Sequence, residues 1–153
     1  MIELKTGCIF NAPVRALVNP VNCEGVMGKG LALEFKRRYP DAYFLDYARA
    51  CRANDLVPGV VRPFHVGDGR WVVSFPTKNR WRSPSKIEYV EAGLHDLTLW
   101  VRMNAIESIA VPALGCGLGG LSWSTVVRPL IEKAFADLDG LVDVWLYPPE
   151  KSA

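Results

Sequence analysis

The sequence contains no C-x-x-C pair, only two histidines and four scattered cysteines, Cys8, Cys23, Cys51 and Cys116. No zinc spacing can be built from these, and neither a metal nor a cofactor is expected. His65 falls in a strand-like stretch and His95 in a helix-like one; both read as ordinary side chains rather than catalysts. Long apolar runs are missing as well. Ile109-Ala110-Val111-Pro112-Ala113-Leu114 is typical of the longest, far below the ~18 residues of a membrane span. The first residues, Met1-Ile2-Glu3-Leu4-Lys5, are not a basic flank ahead of an apolar core, so no secretory leader is read here. The expectation is a soluble cytoplasmic protein without membrane contact, its thiols reduced and mostly buried. The sequence also has no repeats, low-complexity tracts or linkers, which leaves one domain over residues 1–153. With 50% hydrophobic and 22% charged residues, the composition is globular rather than disordered. A chain of this size can bury roughly 70% of its unfolded surface, so it needs no disulfide or metal staple.

Charge is present but uneven. The net charge is +2, yet residues 1–86 hold 14 Lys/Arg against 7 Asp/Glu, while residues 87–153 hold 4 against 9. The densest cationic stretch is Lys78-Asn79-Arg80-Trp81-Arg82-Ser83-Pro84-Ser85-Lys86, which has one tryptophan and no acid. Such a loop can neutralise phosphates while its ring stacks on a base. On charge alone, a solvated surface loop explains it equally well.

Short apolar runs and alternation predict strands at 2–6, 14–19, 60–66, 71–75, 107–112 and 142–147. Helical patterns lie between them. Residues 29–39 bring Leu31, Leu33 and Phe35 together and end in Lys36-Arg37-Arg38, cations suited to a helix C-terminus. Residues 41–53 begin at Asp41 after Pro40. Residues 85–103 begin at Ser85, with Glu88 three residues on as a capping box, and Val90, Leu94, Leu97 and Val101 form the apolar stripe. Residues 122–137 open at Ser122 or Ser124 and are expected to bury Val126, Leu130, Ala134 and Leu138. This alternation predicts an α/β domain, helices flanking a central mixed, mostly parallel sheet.

Ligands in such folds bind beyond the carboxyl ends of strands. Two glycine-bearing loops lie there, Asn19-Pro20-Val21-Asn22-Cys23-Glu24-Gly25-Val26-Met27-Gly28-Lys29-Gly30 and Gly115-Cys116-Gly117-Leu118-Gly119-Gly120, and Thr77-Lys78 also follows a strand. Glycines admit a ligand close to backbone N–H groups, and a following helix N-terminus adds partial positive charge, so a phosphate or diphosphate is the natural occupant. The P-loop pattern fails: Gly28-Lys29 is followed by Gly30, and Cys23 stands where the first glycine belongs. Gly115-x-Gly117-x-x-Gly120 fits the dinucleotide fingerprint. A Rossmann domain, however, needs further βα units and an acid ending the next strand, and the last strand ends Leu146-Tyr147-Pro148. Glycines serving only a tight turn remain the plain alternative.

Val18-Asn19-Pro20-Val21-Asn22 and Val111-Pro112-Ala113-Leu114-Gly115-Cys116-Gly117 resemble the N-x-x-N segment and diphosphate loop of macrodomains, ADP-ribose-binding α/β modules of three layers. The longer motifs, 22–32 and Phe75-Pro76-Thr77-Lys78-Asn79-Arg80-Trp81-Arg82-Ser83-Pro84-Ser85, resemble the DarG-type antitoxin branch, related to terminal ADP-ribose protein glycohydrolases. That resemblance implies a glycohydrolase removing ADP-ribose from thymidine in single-stranded DNA and so reversing a DarT-type toxin, acting as a monomer. It implies that Asn22 orients the distal ribose and Lys78 is the catalytic lysine. Gly28, Gly30 and the run Gly115, Cys116, Gly117, Leu118, Gly119, Gly120 would bind ADP-ribose, Tyr147 would face adenine, and Arg80, Trp81 and Arg82 would hold DNA. Trp81 as a lid packed on the core is the competing reading, and Glu24 is expected to serve only the loop surface.

Two positions depart from the family pattern. Gly7 is followed by Cys8 where macrodomains usually place an adenine-binding Asp, and Gly119 stands where protein-directed relatives carry an Asp. A non-catalytic ADP-ribose reader, a protein-directed hydrolase and a charge-driven single-strand binder therefore stay open as alternatives. The resemblance also implies that the chain is a macrodomain excised from a longer antitoxin.

Overall fold

Strands buried on both faces read as continuous apolar runs, and the computed structural model, which describes residues 1–149, builds the centre of its sheet from such runs. The last four positions of the expected 1–153 domain lie outside the described residues. In chain order the strands are β1 (Ile2–Leu4), β2 (Ala16–Val21), β3 (Arg62–Gly67), β4 (Arg70–Pro76), β5 (Ser108–Pro112) and β6 (Asp143–Tyr147). They assemble into one six-stranded sheet of order β1-β6-β5-β2-β4-β3. Every pairing is parallel except the β3–β4 hairpin. The predicted mixed, mostly parallel sheet is thus observed.

Helices α1 (Gly30–Arg38) and α2 (Asp41–Arg52) cover one face. Their core includes Phe35, Tyr43 and Tyr47 against Leu17, Val72 and Ala110. Helices α3 (Ile87–Met103) and α4 (Arg128–Phe135) cover the other, packing Val90, Leu94, Leu97 and Val101 on Val73, Phe75 and Ile109. Three layers result. The predicted α3 stripe is buried in full.

Four local expectations change. β2 runs from Ala16 to Val21 instead of 14–19, so it starts two residues later than predicted and takes Pro20 and Val21 from the loop into the strand. Pro20 is tolerated because β5 pairs with β2 only at Ala16 and Leu17; the strand has already left that ladder where the proline lacks its N–H. The last helix buries Val127, Ile131, Phe135 and Leu138 rather than Val126, Leu130 and Ala134, which are half-buried. Its first turn, Trp123–Val127, is π-helical and its Ser122 cap accepts from the Thr125 N–H, so the wider turn shifts the buried face by one position. Ser85 does not cap α3: Lys86 occupies that place, because the Ser85 N–H is drawn to the Gly119 carbonyl at 3.0 Å. Of the four thiols only Cys51 is buried, with Cys8 exposed and Cys23 and Cys116 between. Loops at the sheet edge hold those three, and loops lie at the surface.

Candidate functional site

The chain order places β2 at a switch point. From β2 the chain passes through α1 and α2 to β3 on one side; after β4 it crosses through α3 to β5 on the other. Ligand crevices form at the carboxyl ends of strands at such a point. The splay of β2 from β5 beyond Leu17 and Ala110 opens that crevice here. Three loops line it, after β2, β4 and β5, and backbone hydrogen bonds tie them together. Thr77 N–H donates to the Val21 carbonyl at 3.0 Å, Cys23 N–H to Asn79 at 2.9 Å, and Ser85 N–H to Gly119 at 3.0 Å. The predicted convergence is present.

The first loop is held by side chains. Asn22, 7% exposed, donates through Nδ2 to the Val26 carbonyl at 2.8 Å. Its Oδ1 accepts from Glu24 N–H at 3.0 Å and Val26 N–H at 3.5 Å. The Tyr47 hydroxyl lies 2.8 Å from both the Asn22 carbonyl and Oδ1, a shared donation. Asn22 therefore shapes its own loop and keeps one Nδ2 hydrogen for anything outside it. Glu24 is exposed, as expected. Burial, with Cys51 second, pushes the Cys23 thiol up to about 12. Beneath the loop Asn19 donates to the Tyr43 hydroxyl at 2.8 Å, which lies 2.7 Å from Ser74 Oγ. Gly28 and Gly30 are exposed, and α1 starts at Gly30 without a side-chain cap or an early acid. Its first N–H groups are open to an anion.

The second loop carries Lys78, half-buried, whose Nζ donates to the Trp81 carbonyl at 3.0 Å. Arg80 is exposed, and the Arg82 guanidinium stacks 4.6 Å from the Trp81 ring. Trp81 is 41% exposed and belongs to neither core cluster. The core-packed lid reading does not hold for it.

The third loop is defined by missing side chains. Gly115 has φ +73° and Gly120 φ +82°, conformations that L side chains rarely adopt. A Cβ on Gly119 would meet the Ser85 hydroxyl and come within 2.6 Å of the Gly115 carbonyl. Gly117, Leu118 and Gly120 are exposed, while Gly115 and Gly119 are buried. Cys116 hangs on the Leu114 carbonyl at 3.5 Å, its thiol pushed up to about 11 by burial. At the end of β6, Tyr147 is 9% exposed. Burial raises its phenol, the Lys5 amine opposes that and the Cys8 thiol adds to it. Tyr147 closes β6, the strand beside β5 in the sheet, and Cys8 is exposed.

Other features lie elsewhere. A groove of about 380 Å³ between α3 and α4 is lined by Glu91, His95, Thr98, Arg102, Lys133 and Asp137 among others, and by no residue of the three loops. His65, on β3, and His95, on α3, are exposed, and neither belongs to a crevice loop. Among the described residues no group of three or more His, Cys, Asp or Glu is placed to hold a metal. No described helix is long and apolar enough to cross a membrane.

A mixed, mostly parallel sheet with a switch-point crevice, one Asn-held loop and one Gly-defined loop sets the class, and comparison agrees with it. Residues 18–130 match the Macro domain family, and the chain belongs to it. Within that family it is similar to DarG. It shares 44% identity and a TM-score of 0.93 with the macrodomain of Mycobacterium tuberculosis DarG, covering 98% of this chain and 99% of that one. It is 47% identical over 152 residues to a DNA ADP-ribosyl glycohydrolase of Mycobacterium tuberculosis, covering 97% of this chain but 42% of that relative. The Thermosipho africanus DarTG structure, in complex with ADP-ribose, matches at 34% identity with a TM-score of 0.85 over 98% of this chain and 42% of that one. The chain thus spans 42% of the length of that curated relative.

Proposed function

We propose that this domain is a DNA ADP-ribosyl glycohydrolase that removes ADP-ribose from thymidine in single-stranded DNA and so reverses a DarT-type toxin. The observation that carries the reading is the joining of three loops across the switch point, with Lys78 between the Asn-held loop and the glycine loop. Support comes from the relatives of DNA ADP-ribosyl glycohydrolase name and from the ADP-ribose held by Thermosipho africanus DarTG. In this reading residues 1–153 act as one cytoplasmic, monomeric unit, a macrodomain of a longer antitoxin. The diphosphate lies on the N–H groups of Gly115, Cys116, Gly117, Leu118, Gly119 and Gly120 and faces the α1 start at Gly28 and Gly30. Adenine lies toward Tyr147 and the distal ribose toward Asn22. Arg80, Trp81 and Arg82 hold the strand, cations on phosphates and the ring against a base.

For chemistry, Lys78 releases the Trp81 carbonyl and its neutral amine adds to C1 of the distal ribose. The bond from C1 to the thymine nitrogen breaks, and the base leaves with the electron pair and takes up a proton. Water then displaces the amine from C1 to give free ADP-ribose. A free lysine has a pKa near ~10.4, so the amine must be desolvated beneath the nucleotide to react.

The hydrogen bond from Lys78 to the Trp81 carbonyl also suits a second reading, an ADP-ribose reader whose lysine only shapes its loop. One experiment separates them. The protein and its Lys78→Ala variant are incubated with ADP-ribosylated thymidine oligonucleotide and with an ADP-ribosylated peptide. The glycohydrolase releases ADP-ribose from the DNA alone, and the variant loses at least about a hundredfold in rate, within the range for removing a catalytic group. Binding without release supports the reader. Release from the peptide alone would instead mark a protein-directed hydrolase.

A further inference from the structure

Ser85 sits where the second and third loops meet. Its N–H donates to the Gly119 carbonyl at 3.0 Å, and the next residue, Lys86, donates its N–H to the Thr77 carbonyl at 3.3 Å. The residue is 6% exposed, and its hydroxyl has no hydrogen-bond partner within the protein. That hydroxyl is aimed at the glycine loop. It fills the space a Cβ on Gly119 would need and lies 3.2 Å from the Cβ position of Gly115. Among the described residues only one other buried side-chain atom is unpaired, Asn19 Oδ1. It too belongs to the site, on β2 beneath the first loop.

A buried hydroxyl without a partner forfeits the hydrogen bonds water gave it, so sites that retain one need a reason. Packing supplies only part of one, since alanine would keep the Cβ that lies 3.0 Å and 2.7 Å from the Cβ positions of Gly115 and Gly119 and lose the hydroxyl alone. A capping role is excluded, because α3 starts at Ile87 with Lys86 as its cap. The neighbouring Gly115 carbonyl already accepts from Leu121 N–H at 2.9 Å and has a second lone pair free.

We propose that Ser85 is a positioning residue of the diphosphate loop whose hydroxyl, unpaired within the protein, is a reserve donor that pairs to the Gly115 carbonyl when the loop settles on a pyrophosphate. The inference rests on the ADP-ribose reading above and deepens it. Ligand binding then gains a hydrogen bond from the Ser85 hydroxyl, and the Ser85 N–H bond to Gly119 keeps the cationic loop in register with the glycine loop. The role is exerted through the loop, and the hydroxyl makes no contact with the ligand.

Ser85→Ala and the near-isosteric Ser85→Cys are compared with the unaltered protein by thermal unfolding without ligand and by calorimetric titration with ADP-ribose. The expected result for Ser85→Ala is an unfolding temperature equal to or above that of the parent, with affinity for ADP-ribose reduced on the order of fivefold to tenfold, the weight of one hydrogen bond. Ser85→Cys, a weak donor, falls between the two in affinity. A parent-like affinity in Ser85→Ala overturns the proposal while leaving the ADP-ribose reading intact. So does an unfolding temperature that drops in step with affinity, the mark of an ordinary structural serine. If the parent itself does not bind ADP-ribose, both fail together.

Discussion

The loops after β2 and β5 face the same crevice but keep their shapes by opposite means. The first is specified by side chains that are present: Asn22 and Tyr47 satisfy the backbone of residues 22–26 from within. The third is specified by side chains that are missing, since Ser85 and the Gly115 carbonyl leave no room for a Cβ on Gly119. A loop wired through its own hydrogen bonds is rigid before any ligand arrives. A loop built from glycines keeps its N–H groups uncovered and leaves its fit to the occupant. In the proposed reading this difference is a division of labour, the first loop fixing the ribose end and the third adapting to the diphosphate.

Asn22→Ala breaks the first mode most severely. It strips the Val26 carbonyl of its donor and two N–H groups and the Tyr47 hydroxyl of an acceptor, so a stability loss of about 2–4 kcal/mol is expected in denaturant unfolding. Gly119→Ala attacks the second mode. Its methyl must displace Ser85 or the Gly115 carbonyl, and the expected cost is about 1–3 kcal/mol in stability. Here ADP-ribose affinity falls much more than stability does, whereas in Asn22→Ala the two fall together. Equal patterns in both variants would erase the distinction between the loops.

The smallest effect concerns pH. Burial holds the Cys23 thiol up to about 12 in the folded protein against an ordinary value of 9.0. The unfolded thiol therefore ionises first, and the stability it contributes is complete below about pH 9 and drains away as pH rises toward 12. Cys23→Ser should flatten that alkaline decline relative to the parent, as followed by unfolding midpoints across the range. An unchanged decline would place its cause outside the first loop.

Much of this could be read from the residues themselves. The β2, β4 and β5 runs are apolar on both faces, which signals a covered parallel sheet, and the glycine runs mark where its carboxyl edge must open. The α3 stripe was plain because Val90, Leu94, Leu97 and Val101 recur at helical spacing, although Ile87, Leu99 and Met103 stay exposed outside it. Across the π-helical turn and α4 the pairs Val126-Val127, Leu130-Ile131 and Ala134-Phe135 offer two adjacent apolar stripes, and only the π-helical turn decides between them. Ser85 followed by Glu88 satisfies a capping rule locally, yet the long-range bond to Gly119 overrides it. The inward wiring of Asn22 has no signal in spacing, because its partner Tyr47 is 25 residues away on α2. What stayed hidden was the pairing of distant polar groups, which periodicity does not encode.

The central claim is that the crevice between β2 and β5, and not the α3–α4 groove, receives the nucleotide. Backbone amide chemical shifts recorded during titration with ADP-ribose test it most directly. The account predicts shifts concentrated in residues 22–30, 77–82 and 115–120 and at Tyr147. Shifts confined to Glu91, His95, Arg102 and Lys133, with those loops silent, would contradict it.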